Sequence, residues 1–254
     1  MANQIRFGCI ALPTGKQGIL KPDADGCYEM VVGGLNVYNS VGQYYPYEEA
    51  RSIFESSAQL QRRVSRGSLK GEEGHPKWLP GMTKEQFIER VMSIYEDRVC
   101  CLHKELWLDF DRIKDDEGRK VIAIMSRVCP SGPHGAAFER SLQNPGENVC
   151  FSIRSFTEDV WVRGTMNRIL RTVVTFDRVT EPGIAFANKW KSPALESLDD
   201  ALLSRGEIQR AVCSAQEKQS LGLGMESALL TGAELFNAMN WQMSEEQKPG
   251  WARW

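Results

Sequence analysis

The hexapeptide Gly71-Glu72-Glu73-Gly74-His75-Pro76 fixes a turn near the end of the first third of the chain. Glycine admits backbone angles that other residues avoid, and proline locks φ and removes a donor. His75 is therefore carried on a specified turn, not on the face of a helix. Histidine is the side chain whose ordinary pKa suits proton transfer near neutral pH. The chain holds three: His75, His103 and His134. A surface turn that happens to contain a histidine is the plainest reading of the motif. The remaining sequence adds reasons to look further.

A chain of 254 residues can bury a full core. Its net charge of −2 and 25% charged residues give no general electrostatic reason to expect nucleic-acid or membrane partners. The seven cysteines are odd in number, lack CxxC spacing and include the adjacent pair Cys100-Cys101. That usage predicts reduced thiols in a cytosolic compartment. The opening residues contain no apolar run long enough for a signal peptide or membrane span.

Residues 5–12 read as a buried strand, and residues 27–38 as one or two strands with a bulge or tight bend at Gly33-Gly34. The spacing of Ala50, Ile53, Phe54, Ala58, Leu60 and Val64 predicts a helix over 47–66. Its acidic Glu48 and Glu49 and basic Arg62, Arg63 and Arg66 complement the helix dipole on a solvated face. Thr83 and Gln86 form a capping box that opens a helix over 84–95. Residues 98–112 and 121–128 predict an antiparallel hairpin, 136–143 a short helix, 148–155 a strand, and 160–180 one or two more. Residues 194–219 and 225–240 look helical, followed by a polar tail. A boundary near 190 then divides a strand-rich domain, 1–190, from a helical extension, 191–254.

Four constellations offer chemistry. Glu72-x-x-His75 has the spacing of a helical metal pair, but the glycines and Pro76 oppose a helix, and no second pair exists. Cys100, Cys101 and His103 offer soft ligands without a visible fourth, and core thiols explain them more simply. Cys150 or another thiol could serve as a nucleophile, with nothing to single one out. Ser152 could be activated by His75 with an acid to orient it. Residue types alone leave these open.

Gly71-Glu72-x-x-His75-Pro76, followed about eighty residues later by Ser152-x-Arg154, resembles the prohead serine proteases of tailed phages, distant relatives of the herpesvirus assembly protease. Asn39, Tyr45-Pro46 and the amphipathic segment before the turn follow the family order. So do the hairpin after His75, the stretch from Gly132-Pro133 to Leu142, and Phe176-Asp177-Arg178-Val179 before Pro182. The resemblance spans roughly residues 27–190. Where many relatives show Ser-Ser-Arg-Gly, this chain has Ser152-Ile153-Arg154-Ser155.

The resemblance implies an α+β fold: a closed antiparallel barrel of about seven strands, herpesvirus-protease-like, ringed by helices, with a helical C-terminal extension. It implies Ser152 as nucleophile, His75 as general base and Asp177 as the orienting acid. Relatives use Glu, Asp or a second His as that third residue, which keeps His103 and His134 as alternates. A backbone amide near Arg154, with the guanidinium holding a water, is the implied oxyanion support, and Glu72 supports the turn and holds His75. No metal and no cofactor is implied. The implied substrates are phage scaffold, core and capsid proteins, cut after Glu inside the assembling prohead in the host cytoplasm. The protein itself is a further substrate, with a homo-oligomer as a candidate assembly. Small-x-Glu strings ending at Glu196, Glu226 and Glu234 mark candidate self-cleavage sites in the extension. A cation for the Glu pocket would come from Arg127, Arg163 or Arg168. The rival readings are a catalytically silent capsid-assembly or scaffold protein of the same fold, and a metal-dependent hydrolase using Glu72 and His75.

Overall fold

The computed structural model describes residues 4–8, 11–14, 22–39, 42–111, 119–144, 147–180, 201–220 and 232–239. The described strands are β1 (Gln4–Gly8), β2 (Ala11–Thr14), β3 (Tyr28–Leu35), β4 (Val37–Tyr38), β5 (Tyr44–Tyr45), β6 (Lys70–Glu72), β7 (Val99–Asp109), β8 (Ile122–Pro130), β9 (Val149–Val162), β10 (Thr165–Val179) and β11 (Ala201–Ser204). The helices are α1 (Tyr47–Ala50), α2 (Gln59–Ser65), α3 (Lys84–Met92), α4 (Gly135–Gln143), α5 (Arg205–Ser220) and α6 (Gly232–Ala238).

This is a mixed α+β fold in which hydrogen bonding divides the strands between two sheets. One runs β11-β1-β9-β10-β5-β4, with β2 also paired to β9; the other runs β3-β8-β7-β6. The pairings are antiparallel except β10 with β5. The sheets touch where Glu73, just past β6, bridges Arg178 of β10. Register shifts place extra residues on β3, β7 and β10, and each such bulge bends its strand and adds twist.

The β9–β10 hairpin is a wall with a core on each side. Phe151, Ile153, Leu170, Val173 and Phe176 pack with Tyr28, Met30, Leu106, Ile124 and Val128 of the second sheet. Three of these lie three residues apart on β10, a spacing that a regular strand would split between opposite faces. Extra residues at Arg171 and Val174 restore a common face. On the far side Phe156 and Val174 pack with Phe87, Ile88 and Val91 of α3, Ile208, Ala211 and Val212 of α5, and Leu235 of α6.

Several expectations change. The helix expected over 47–66 breaks into α1, a 3-10 turn over Arg51–Phe54, and α2, because Glu55 and Ala58 are extended. Ser56-Ser57 lies in the break, where hydroxyls compete with helical hydrogen bonds. The helix over 84–95 ends at Met92, but its capping box forms: Gln86 N donates to Thr83 Oγ1 at 3.2 Å and Thr83 N to Gln86 Oε1 at 2.9 Å. The segment assigned to helix over 194–219 starts, where described, as a strand: β11 pairs β1 before α5 begins. The boundary near 190 and the polar tail fall outside the described residues. The thiols are not all reduced: Cys27 and Cys129 form a disulfide, their Cα atoms 4.2 Å apart. They flank the Tyr28–Val128 pair of the β3–β8 ladder, which brings the two side chains together. No described helix is long and apolar enough to cross a membrane.

Candidate active site

The turn that carries His75 is stitched to β10. Gly74 takes a φ of +78°, which favours glycine, and its N–H donates to Arg178 O at 2.7 Å. Three residues earlier, a Cβ on Gly71 would collide with the Phe176 carbonyl and stand 2.7 Å from Cys101 Sγ. Only glycine lets β6 lie this close to β10. The result is direct contact: His75 Nδ1 lies 3.0 Å from Asp177 Oδ2, and the Glu72 N–H donates to Asp177 Oδ1 at 3.0 Å.

Ser152 reaches the same place from β9. It is the register partner of Asp177 in the β9–β10 ladder. Such partners share a face of the sheet with Cβ atoms about 5 Å apart. Phe151 and Ile153 point into the core between the sheets, so Ser152 and Arg154 occupy the opposite face. Ser152 is 2% exposed.

Asp177 is fully buried, which by itself would raise its pKa. The Arg154 guanidinium and His75 outweigh that and hold the carboxyl well below the usual carboxylate range. Arg154 binds side-on, Nε to Oδ2 and Nη2 to Oδ1, each at 2.8 Å, while Nη1 donates to Ser93 O at 2.8 Å. An ionised Asp177 only accepts hydrogen bonds, so Nδ1 of a neutral His75 carries the proton and Nε2 keeps its lone pair. Nε2 is buried and has no hydrogen-bond partner among the described residues. Carboxylate and imidazole are thus in contact, and Ser152 stands opposite Asp177 in the ladder without a hydrogen bond to Nε2 of His75.

The side chains of the two expected supports are both engaged in buried ion pairs. The Arg154 guanidinium grips a carboxylate and a backbone carbonyl, so it braces Asp177. The buried Glu72 side chain accepts from both terminal guanidinium nitrogens of Arg90 of α3, Nη1 and Nη2, and from Tyr95 N at 2.8 Å. Arg154 Nη2 approaches it at 3.3 Å. Arg90 was not anticipated from the sequence. Its signal is a charge three residues from Phe87, on a helix whose buried side includes Phe87, Ile88, Val91 and Met92.

The competing residues lie elsewhere. His103 is a core histidine against the Phe151 and Phe176 rings, with Nε2 3.0 Å from Phe176 O and Nδ1 3.0 Å from Ser126 Oγ. Burial pulls its pKa down to about 4. His134 precedes α4 as its N-cap residue. Burial pushes Cys150 up to about 12, so it stays a thiol. Among the described residues no three His, Cys, Asp or Glu side chains gather as metal ligands, and Glu72 is already engaged by arginine. Arg127 is held by Asp23, Asp25 and Glu105. Arg168 is buried against Asp159, and Arg163 sits in the hairpin turn. Arg168 lies nine positions before Asp177 on β10, with two bulges between them.

Residues 7–235 match the Peptidase S80 family. The chain is 34% identical over 259 aligned positions to the capsid maturation protease of Pseudomonas phage phiKZ, covering 99% of this chain and 94% of that protein. It is also similar to the solved bacteriophage T4 capsid assembly protease, at 11% identity and a TM-score of 0.46, covering 70% of this chain and 99% of that one.

Proposed function

The chain belongs to the Peptidase S80 family, and from that premise we propose that it is a serine endopeptidase of phage head maturation, with Ser152 as nucleophile, His75 as general base and Asp177 as the orienting carboxylate. The observation that carries this reading is the 3.0 Å contact between His75 Nδ1 and Asp177 Oδ2, which leaves Nε2 unpaired on the side chain beside Ser152's register partner.

In this mechanism Ser152 Oγ attacks the scissile carbonyl carbon and its proton passes to His75 Nε2. The imidazolium is stabilised by Asp177, whose charge Arg154 maintains. The ring then protonates the leaving amine as the C–N bond breaks. A water, deprotonated by the same nitrogen, cleaves the acyl ester and frees Ser152.

The substrates we infer are scaffold, core and capsid proteins cut after Glu within the assembling prohead in the host cytoplasm, and the protein itself. The two curled sheets, joined where Glu73 meets Arg178 and with β2 packed along β3, support reading them as one barrel. Residues 191–254 form the C-terminal extension that carries the candidate self-cleavage sites, and β11, α5 and α6 of that extension pack on the rest of the chain, so a chain cut after Glu196 keeps them by packing. Glu196 and Glu226 lie outside the described residues. Glu234 lies in α6, hydrogen-bonded to Gln59, and the next residue, Leu235, is fully buried. A protease binds its target extended, so α6 must unwind before Glu234 is cut.

The test is Ser152→Ala, assayed on scaffold protein alongside labelling by a fluorophosphonate. The wild-type chain should cut scaffold and take the label at Ser152. The folded variant should do neither. Cleavage by Ser152→Ala would overturn the mechanism. A folded wild-type chain that neither cuts nor labels would favour the silent assembly protein instead.

A further inference from the structure

Arg63 of α2 stands apart from the other arginines of its segment. It is 7% exposed, where dipole complementarity on a solvated face was expected. Its guanidinium serves the backbone of β10: Nη1 donates to Val174 O and Nη2 to Val173 O, each at 2.6 Å. Nε is buried and has no hydrogen-bond partner among the described residues. Burial lowers its pKa to about 10, with Glu234 opposing, so it remains charged near neutral pH.

Those two carbonyls belong to the bulge nearest the active site. Val173 pairs with Ser155 and Thr175 with Arg154, leaving Val174 as the extra residue. After it the ladder resumes, with Phe176 opposite Ile153 and Asp177 opposite Ser152. Without the extra residue every later partner would shift by one. Asp177 would then face Phe151, whose side chain points into the apolar core. The bulge therefore decides whether the carboxylate meets His75 or grease.

We propose that Arg63 is a positioning residue of the active site: by forking the Val173 and Val174 carbonyls it fixes the bulge that keeps Asp177 opposite Ser152. The inference rests on the proposed roles of Ser152, His75 and Asp177. A guanidinium presents two donors in a rigid plane, matched here to two successive carbonyls. A lysine ammonium is a single point charge and does not reproduce that fork.

The experiment compares full-length Arg63→Lys and Arg63→Gln with the wild type and with Ser152→Ala. The readouts are steady-state cleavage of a peptide that the wild type cuts, thermal melting, and the proton NMR signal of His75 Nδ1–H. Both Arg63 variants should lose about 100-fold in kcat, as small misplacements of catalytic groups do. KM should stay within about twofold, and the Nδ1–H signal should move or broaden as its carboxylate partner shifts. If Arg63→Gln does not fold, Arg63→Lys, which keeps the charge, decides. Folded variants with wild-type kcat overturn the inference. So does a fall in kcat with the Nδ1–H signal unmoved, which marks a purely structural role. Activity in Ser152→Ala overturns the reading beneath it.

Discussion

Arg154 grips Asp177 side-on, with two parallel hydrogen bonds of 2.8 Å between fully buried partners. A bidentate guanidinium–carboxylate pair fixes direction as well as charge. Asp177 is thereby kept ionised and its Oδ2 aimed at His75. The same grip makes the pair vulnerable, because neither charge has water to fall back on.

Asp177→Asn should therefore damage both stability and catalysis. It leaves Arg154 as a buried charge without its partner, a loss of about 3–5 kcal/mol. The neutral amide also fails to hold the Nδ1–H form of His75, and kcat should fall about 10⁴-fold. Denaturant unfolding and peptide cleavage measure the two effects separately. A folded Asp177→Asn chain with near wild-type kcat would remove Asp177 from the mechanism.

Acid should weaken the fold in a defined order. His103 has a folded pKa of about 4 against an ordinary 6.5, so between those values the unfolded chain takes a proton that the folded chain refuses. Its contribution is complete above pH 6.5 and is lost as pH falls toward 4, reaching about 2 kcal/mol at about pH 5. The depressed pKa of Asp177 works lower down. Its contribution is full above the unfolded value of about 3.9 and fades only below that. Urea midpoints should fall from neutral pH to about pH 5, and His103→Gln should flatten that slope. An unchanged slope in the variant would assign the effect to another group.

Gly71→Ala should loosen the seam between β6 and β10. The added methyl has no room against the Phe176 carbonyl, and the backbone there cannot move aside as a flexible side chain would. Overpacking of this kind costs about 1–3 kcal/mol. The displacement is passed along β6 to the His75 turn, so kcat should drop more steeply than the melting temperature alone would suggest. An active Gly71→Ala chain with wild-type melting would show that β6 has slack.

Truncation after residue 200 should unfold more than an appendage. It removes β11 from the edge of β1 and strips Ile208, Ala211, Val212 and Leu235, all fully buried, from the α3 core. Each large apolar side chain there contributes about 1.5–3 kcal/mol. Thermal melting of the truncated chain should show a strongly lowered or absent transition. A wild-type melt would make the segment dispensable to the fold.

What could be read from the sequence was the punctuation and the chemistry. Glycine and proline around His75 specify a turn directly, and Thr83 with Gln86 specifies a helix start, because both signals act within a few residues. Ser152 and Asp177 were found through family resemblance, since their adjacency comes from a ladder that pairs residues 25 positions apart. Features made by long-range packing were missed. Arg63 and Arg90 look like helix-surface cations until the strand or carboxylate they face is known. The break in the 47–66 helix falls between Glu55 and Ala58, inside an apolar spacing that otherwise reads as continuous. The Cys27–Cys129 bond joins residues 102 apart, and neither cysteine has a flanking motif that names the other. Ala201–Ser204 carries helix-compatible residues and becomes a strand because β1 offers an open edge.

The bulges on β10 divide the hairpin into stretches of unequal tolerance to changes in length. Its tip, where Trp161 is 69% exposed and Arg163 and Gly164 make the turn, projects beyond both cores. Codons inserted or deleted there lengthen or shorten a protruding loop and leave Ser152 and Asp177 facing each other. A single codon gained or lost between Thr172 and Phe176 reverses the parity of everything downstream and turns the carboxylate to the wrong side of the wall. Among natural or engineered homologues, indels should therefore collect at the tip and be absent from that five-residue stretch.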